Sequence, residues 1–98
     1  MSKDQRVSED ELWRRARAVT TLQGAHEALV KVMPAPAADR ERWRDFYLGS
    51  ADVYGRVAEI DRGHHHEALY WAKREREKGE EIAKALAPGA LGHDGSGE

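Results

Sequence analysis

The chain has 98 residues, no cysteine and a formal net charge of −2 when its histidines are neutral. This length allows one domain at most, and the lack of cysteine excludes disulfides, thiolate nucleophiles and thiolate metal sites. Such a balance of charge does not favour nucleic acid as a partner, and no apolar run approaches the roughly 20 residues that cross a bilayer. Because Met1–Arg6 is polar and carries no secretory signal, we expect a cytoplasmic protein with no membrane partner.

A first helix is predicted over residues 8–32, after residues 1–7, which we expect to be disordered. Ser8 and Glu11 form a capping-box pattern, in which the Ser8 hydroxyl accepts from the Glu11 N–H and the Glu11 carboxylate reaches back to Ser8. Apolar residues recur every three or four positions from Leu12 to Met33, which predicts one apolar helix face. Gly24 inside this segment costs about 1 kcal/mol relative to Ala, which is not enough to end the helix.

A second helix is predicted over residues 38–62. Pro34 and Pro36 mark the end of the first helix, because proline lacks the backbone N–H that a helix needs, and Asp39 is suited to cap the second. The connection is short, so we expect the two helices to lie antiparallel. The second helix has a wide apolar face, which indicates contact with more than one neighbouring element.

Gly63 leaves two architectures open. It can end the second helix as its C-terminal glycine, which gives a third helix over residues 64–87 and a three-helix bundle. Alternatively, the second helix continues or kinks through Gly63, because the apolar stripe keeps its phase and no Ser, Thr or Asn marks a turn there; this gives an antiparallel helical hairpin. Both alternatives make a single all-α domain over residues 8–87, and the glycine-rich residues 88–98 are expected to be a disordered tail.

Charged residues are expected to lie on helix surfaces. The mixed run from Lys73 to Glu81 predicts a solvated helix face with ion pairs four residues apart. The arginines within residues 40–44 alternate with acids that cancel their charge. We therefore expect these arginines to have a surface role and not to bind nucleic acid.

Two polar residues, Asp61 and His65, interrupt the apolar stripe. With His64 they place one carboxylate and two imidazoles within about one helical turn, a donor set that can begin a metal site. A complete site needs a ligand from another helix, and His26 is expected to lie roughly 25 Å away along the helices. The other interpretation is a buried Asp–His hydrogen bond, or a charged histidine that faces the acidic start of the first helix at Glu9–Leu12.

The aromatic side chains predict association between chains. A chain of this size buries only roughly 60–65% of its unfolded surface, so its three Trp, three Tyr and one Phe are hard to cover in one protomer. Tyr and Trp are enriched at protein interfaces. We therefore predict a homodimer, and the residues predicted to form its interface are Tyr47, Tyr54, Val57, Leu69 and Trp71.

The run from Val53 to Ala72, with Val57-Ala58-Glu59-Ile60-Asp61 followed by His64-His65-His66-Glu67-Ala68-Leu69, resembles a family of small uncharacterised actinobacterial helical proteins. His26-Glu27-Ala28-Leu29, followed by Met33-Pro34, fits the same family, and the resemblance covers residues 12–85. It implies a bacterial cytoplasmic origin and a regulatory setting. It implies no activity, cofactor or partner.

No pattern typical of a catalytic site occurs in the sequence. It has no G-x-S-x-G and no glycine-rich phosphate loop, and Ser50 has no histidine within one helical turn. We therefore predict a small non-enzymatic interaction or regulatory protein without a cofactor, whose partners are a second copy of itself and another protein. The main alternative is a metal- or ligand-binding helical bundle that uses Asp61, His64 and His65.

Overall fold

The computed structural model describes residues 8–87, and every regular element within them is helical. The helices are α1 (Glu9–Ala18), α2 (Leu22–Val32), α3 (Arg40–Ile60) and α4 (His65–Leu86), with one 3-10 turn at Arg62–His64 before α4. The predicted all-α class is confirmed. The disorder predicted for residues 1–7 and 88–98 lies outside the described residues. None of the helices in residues 8–87 is long and apolar enough to span a membrane.

The start of α1 keeps one half of the predicted capping box. The Glu11 N–H donates to the Ser8 hydroxyl at 3.1 Å, which satisfies one of the free donors at the helix start. The Glu11 carboxylate instead accepts hydrogen bonds from Arg14 and Arg15, one turn further on. Residues on the same helix face compete for this carboxylate, so the return bond to Ser8 does not form.

The prediction of one helix over residues 8–32 is wrong, because the chain breaks at Val19–Thr21 into α1 and α2. Thr21 caps α2 by accepting a hydrogen bond from the Gly24 N–H at 2.9 Å. A Cβ atom at position 24 would lie 2.9 Å from that same Thr21 oxygen. The glycine that was expected only to weaken a helix therefore fits the cap of a new one.

Two side chains at the C-terminal end of α3 hold this break. The Arg56 guanidinium donates to the Val19 carbonyl at 2.6 Å, and the Asp61 carboxylate accepts from the Leu22 N–H at 2.9 Å. A cation thus lies at the negative end of α1 and an anion at the positive end of α2, the arrangement that helix dipoles favour. These contacts satisfy backbone groups that the interrupted helix leaves without an internal partner.

α3 and α4 form an antiparallel hairpin, so the predicted reversal near Gly63 is confirmed and the alternative of a continuous helix is wrong. Gly63 is not the residue that ends the helix, because α3 ends at Ile60 with Asp61 as its C-cap and Gly63 lies within the 3-10 turn. The side-chain contacts run in opposite directions along the two helices: Leu48 lies against Gly79, and Tyr54 against Trp71. The 3-10 turn reverses the chain within a few residues. The buried face of α4 consists of Ala68, Ala72, Glu75 and Gly79. Leu69, four residues after His65 in the apolar stripe, is exposed, so the stripe is not kept in full across the turn.

α3 is the central helix, because it contacts α1, α2 and α4. Trp13 of α1 packs against Phe46 of α3, and His26 of α2 against Tyr54 of α3. Small buried residues line the approach of α3 to α4: Ala51, Ala58, Ala68, Ala72 and Gly79. The result is flat, with extents of 52 × 41 × 17 Å, so much of the molecule is only about one to two helix diameters thick.

Candidate functional site

An apolar cleft of about 360 Å³ opens between α2, α3 and α4, a size within the range of small-molecule sites. α2 packs against α3 less extensively than α4 does, which leaves room between α2 and α4. The residues that line it are His26, Leu29, Val30 and Met33 from α2 and its C-cap, Trp43, Phe46, Tyr47, Ser50 and Tyr54 from α3, and Trp71, Arg74, Glu75 and Lys78 from α4. We call this site the cleft.

Three rings form one wall of the cleft. The Tyr54 and Trp71 rings are stacked, with centroids 5.9 Å apart and an interplanar angle of 29°. The His26 ring meets the Trp71 ring edge-on at 5.2 Å, and its Nδ1 forms a 2.7 Å hydrogen bond with the Tyr54 hydroxyl. Because each ring contacts the other two, the wall is held in one arrangement by aromatic packing and a hydrogen bond.

The Tyr54 hydroxyl is kept neutral by its surroundings. Burial, and secondarily the negative charge of Glu75, raise the pKa of Tyr54 to about 12. A general acid or base works best when its pKa lies near the working pH. Tyr54 is therefore suited to hydrogen bonding and packing rather than to proton transfer at neutral pH.

Charged side chains of α4 border the same cleft. Glu75 is buried, and its carboxylate accepts a 2.8 Å hydrogen bond from Arg74. The Arg74 guanidinium also lies over the Trp71 ring at 5.2 Å, and the Lys78 ammonium lies over the Tyr47 ring at 5.3 Å. Two positive charges, both in cation–π contact with aromatic rings, and one carboxylate therefore border the cleft.

Ser50 is the second buried polar residue of the cleft. It is 1% exposed, and its hydroxyl has no hydrogen-bond partner among residues 8–87. A buried polar group without a partner is destabilising and rare in folded proteins. The Ser50 hydroxyl is thus free to bind a group that enters the cleft.

The five residues predicted for the interface occupy three different environments. Val57 is buried in the core of the single chain at 0% exposure, which corrects its assignment to an interface. Tyr54 is also buried, at 5% exposure, but it forms part of the wall of the cleft. Tyr47 and Trp71 are half-buried and line the cleft. Leu69 is exposed and does not line the cleft.

The structure brings two of the three candidate metal ligands together. Asp61 and His64 are hydrogen-bonded, with 3.0 Å between Oδ2 and Nδ1, whereas the His65 Nδ1 bonds to the Ala58 carbonyl at 2.7 Å. Within residues 8–87 no group of three or more His, Asp or Glu side chains is arranged to hold a metal ion. The Asp61 carboxylate instead joins the α3–α4 corner to the start of α2.

The position expected for Asp61, opposite Glu9–Leu12, is wrong, and so is the distance expected for His26. Asp61 accepts a hydrogen bond from Leu22, which lies one helical turn before His26. Asp61 and His26 line the same surface depression. The expectation assumed a straight first helix and a turn centred near residue 35. The break after α1 and the connection between α2 and α3 shift the register between the helices.

Asp61 and His64 predict how stability depends on pH. The Leu22 N–H and then the His64 ring lower the pKa of Asp61 below its usual 3.8, and the Asp61 carboxylate raises the pKa of His64 above its usual 6.5. The stabilisation from Asp61 is lost as the pH falls through its lowered pKa, and that from His64 is lost as the pH rises through its raised pKa. The charged pair therefore stabilises the fold most between about pH 4 and 6.5.

We expect His64→Gln to lower the melting temperature more at about pH 5.5 than at about pH 8.5, because the charged imidazole attracts Asp61 more strongly than the neutral ring does. Thermal unfolding followed by circular dichroism measures this difference. His66→Gln is the matched control, since it removes an exposed imidazole two residues away. An effect of His64→Gln that is equal at the two pH values would contradict the pair.

Sequence reasoning missed the polar residues of the cleft. Glu75 belongs to the charged run that was predicted to be solvated, yet it is buried. Its spacing from Ala68, Ala72 and Gly79, which are also buried, is the signal that could have placed it on the inner face of α4. Ser50 carried a similar signal, because it lies four residues from both Phe46 and Tyr54, which are buried on the inner face of α3.

Comparison with protein-family models, with curated proteins and with solved structures gives no match to this chain. The resemblance to small actinobacterial proteins stays a prediction. Function is therefore argued from the geometry of the cleft.

Proposed function

We propose that this chain is a small non-enzymatic interaction protein of the cytoplasm that acts as a homodimer and regulates another protein by binding it. The observation that carries the proposal is the exposed apolar border of the cleft. Val30 is 65% exposed and Met33 is 50% exposed, and they lie beside the half-buried rings of Tyr47 and Trp71. Methionine and aromatic residues are enriched in the buried centres of protein interfaces.

The shape of the molecule supports a second copy as the first partner. The molecule is only 17 Å thick. α2 and α4 cover the flanks of α3, but the cleft between them stays open on one side. A second chain placed on this side would bury the apolar border and complete a two-layer bundle. Such burial also favours the folded state of a chain that is small for an independent domain.

The chemistry of the cleft supports binding over catalysis. Tyr54 has its pKa raised to about 12, far from the pH at which an acid–base group is effective. Within residues 8–87, five of the nine arginines outside the cleft are paired with carboxylates: Arg14 and Arg15 with Glu11, Arg42 with Glu9, Arg44 with Asp45, and Arg62 with Glu59. This pairing supports a protein partner over a nucleic acid.

We expect the native protein to sediment at twice its chain mass of 11.0 kDa at micromolar concentration, and the double variant Val30→Ser/Met33→Ser to sediment as a monomer. Sedimentation velocity over a dilution series measures both. Ile60→Ser is the matched control, because Ile60 is also exposed but does not line the cleft, and it should remain dimeric.

Two results would contradict this interface. A native protein that is a folded monomer at all these concentrations would exclude the homodimer. Loss of the dimer in Leu69→Ser, with the Val30→Ser/Met33→Ser variant still dimeric, would move the interface to the other flank of α4.

A further inference from the structure

We propose that the cleft is a binding site for a small amphipathic carboxylate, with an aromatic body that lies among the rings and a carboxylate head held by Ser50, Lys78 and Arg74. This inference goes beyond the proposed function, because it requires only one chain. It depends on the buried Ser50 and the partly exposed Arg74 and Lys78 inside the cleft, whereas the homodimer depends on the exposed apolar residues at its border.

The first argument is the unpartnered hydroxyl of Ser50. Its burial at 1% exposure and its lack of a hydrogen-bond partner in residues 8–87 leave a donor and acceptor in an apolar site. A ligand oxygen that accepts from this hydroxyl would remove the penalty of leaving it unpaired. An aliphatic ligand without a polar group would leave that penalty in place.

The second argument is the sign of the charge. The charged side chains that line the cleft are Arg74, Glu75 and Lys78, two cations and one carboxylate. Arg74 is bonded to Glu75, whereas Lys78 forms no ion pair within residues 8–87 and lies over the Tyr47 ring. An anionic head beside Lys78 neutralises the excess positive charge, and a cationic head would add to it.

The third argument is the nature of the walls. Four aromatic residues besides Tyr54 line the cleft: Trp43, Phe46, Tyr47 and Trp71. The rings of Trp43, Phe46 and Tyr47 meet one another at tilted and edge-on angles, so a flat aromatic ring can add to this set by offset or edge-on contact. A few polar groups within an apolar lining are typical of small-molecule sites.

The test uses three probes with one ring system. We expect 1-naphthylacetate to bind the native protein with one site per chain by isothermal titration calorimetry, and 1-naphthylmethylamine and 1-methylnaphthalene to bind at least about threefold more weakly. Equal or tighter binding of the amine would overturn the assignment of charge. No detectable binding of the carboxylate at millimolar concentration would overturn the site.

Variants separate ligand contacts from effects on folding. Lys78→Met and Ser50→Ala should each weaken binding of 1-naphthylacetate about three- to tenfold. Lys73→Met is the matched control, because Lys73 is exposed, pairs with Glu77 and does not line the cleft. This variant should bind 1-naphthylacetate as tightly as the native protein does. Ser50→Ala should keep the native melting temperature or exceed it, since it removes an unpaired buried hydroxyl.

The outcomes distinguish this proposal from the homodimer. The mass in solution is measured on the native protein without ligand, so a monomer that binds the carboxylate contradicts only the homodimer. A dimer whose affinity for 1-naphthylacetate is the same in Lys78→Met and Ser50→Ala as in the native protein contradicts only the carboxylate site.

Discussion

Phe46→Ala is expected to lower the free energy of unfolding by about 3–5 kcal/mol, the usual cost of removing a buried phenyl ring. The Phe46 side chain is buried, and its ring lies 6.3 Å from that of Trp13, 5.7 Å from that of Trp43 and 5.6 Å from that of Tyr47. It therefore joins α1 to α3 and supports one end of the cleft. Urea denaturation followed by circular dichroism measures the change.

Ile60→Ala is the control for this loss. Ile60 lies on the same helix but is 43% exposed, so its truncation should cost less than about 1 kcal/mol. A single small domain has only about 5–15 kcal/mol of stability, so Phe46→Ala removes a large share of it. Equal costs for the two substitutions would show that Phe46 does not lie in the core.

Gly79→Ala and Gly55→Ala are expected to change stability in different ways, although each adds one methyl group inside a helix. A Cβ atom at position 79 would lie 2.7 Å from Leu48 Cγ and 3.3 Å from the Leu48 backbone nitrogen, whereas one at position 55 meets nothing within 4 Å. Both substitutions gain about 1 kcal/mol of helix propensity. Only Gly79→Ala also suffers the overpacking cost of about 1–3 kcal/mol.

The difference between the two glycine variants thus measures the close approach of α4 to α3. We expect Gly55→Ala to raise the free energy of unfolding. The free energy of unfolding of Gly79→Ala should be lower than that of Gly55→Ala by the overpacking cost of about 1–3 kcal/mol. Chemical denaturation of the two variants and the native protein provides the comparison. A continuous helix through Gly63 would leave both glycines free of Leu48, and both variants would then be stabilised alike.

Local signals explain which parts of the fold were predictable. The caps depend on residues three positions apart: Ser8 accepts from the Glu11 N–H, and Asp39 accepts from the Arg42 N–H at 3.0 Å. The spacing of apolar residues and the positions of the prolines likewise predicted helices and an all-α class. Such features need no knowledge of the rest of the molecule.

The features that escaped prediction depend on distant parts of the chain. The break after α1 is held by Arg56 and Asp61, 37 and 39 residues from their partners, so the apolar stripe of residues 12–33 could not reveal it. The reversal at Gly63 depends on the packing of Gly79 against Leu48. Neither pairing can be read from a window of one helix.

The candidate site was predictable only in its aromatic part. Tyr47 and Trp71 were predicted to be contact residues, and both line the cleft. Tyr54 was assigned to a surface because the sequence does not show that His26 and Trp71 cover it. Glu75 and Ser50 lie at helical spacing from buried neighbours, but polar residues are usually exposed, so this spacing was overlooked.

The contacts at the break also restrict where the length of this chain can vary during evolution. Arg56 and Asp61 must face Val19 and Leu22 at the same time. An inserted or deleted residue between them would rotate one side chain about 100° around the helix axis away from its partner. Natural insertions are therefore best accommodated in the connection between α2 and α3, where no helical phase has to be kept.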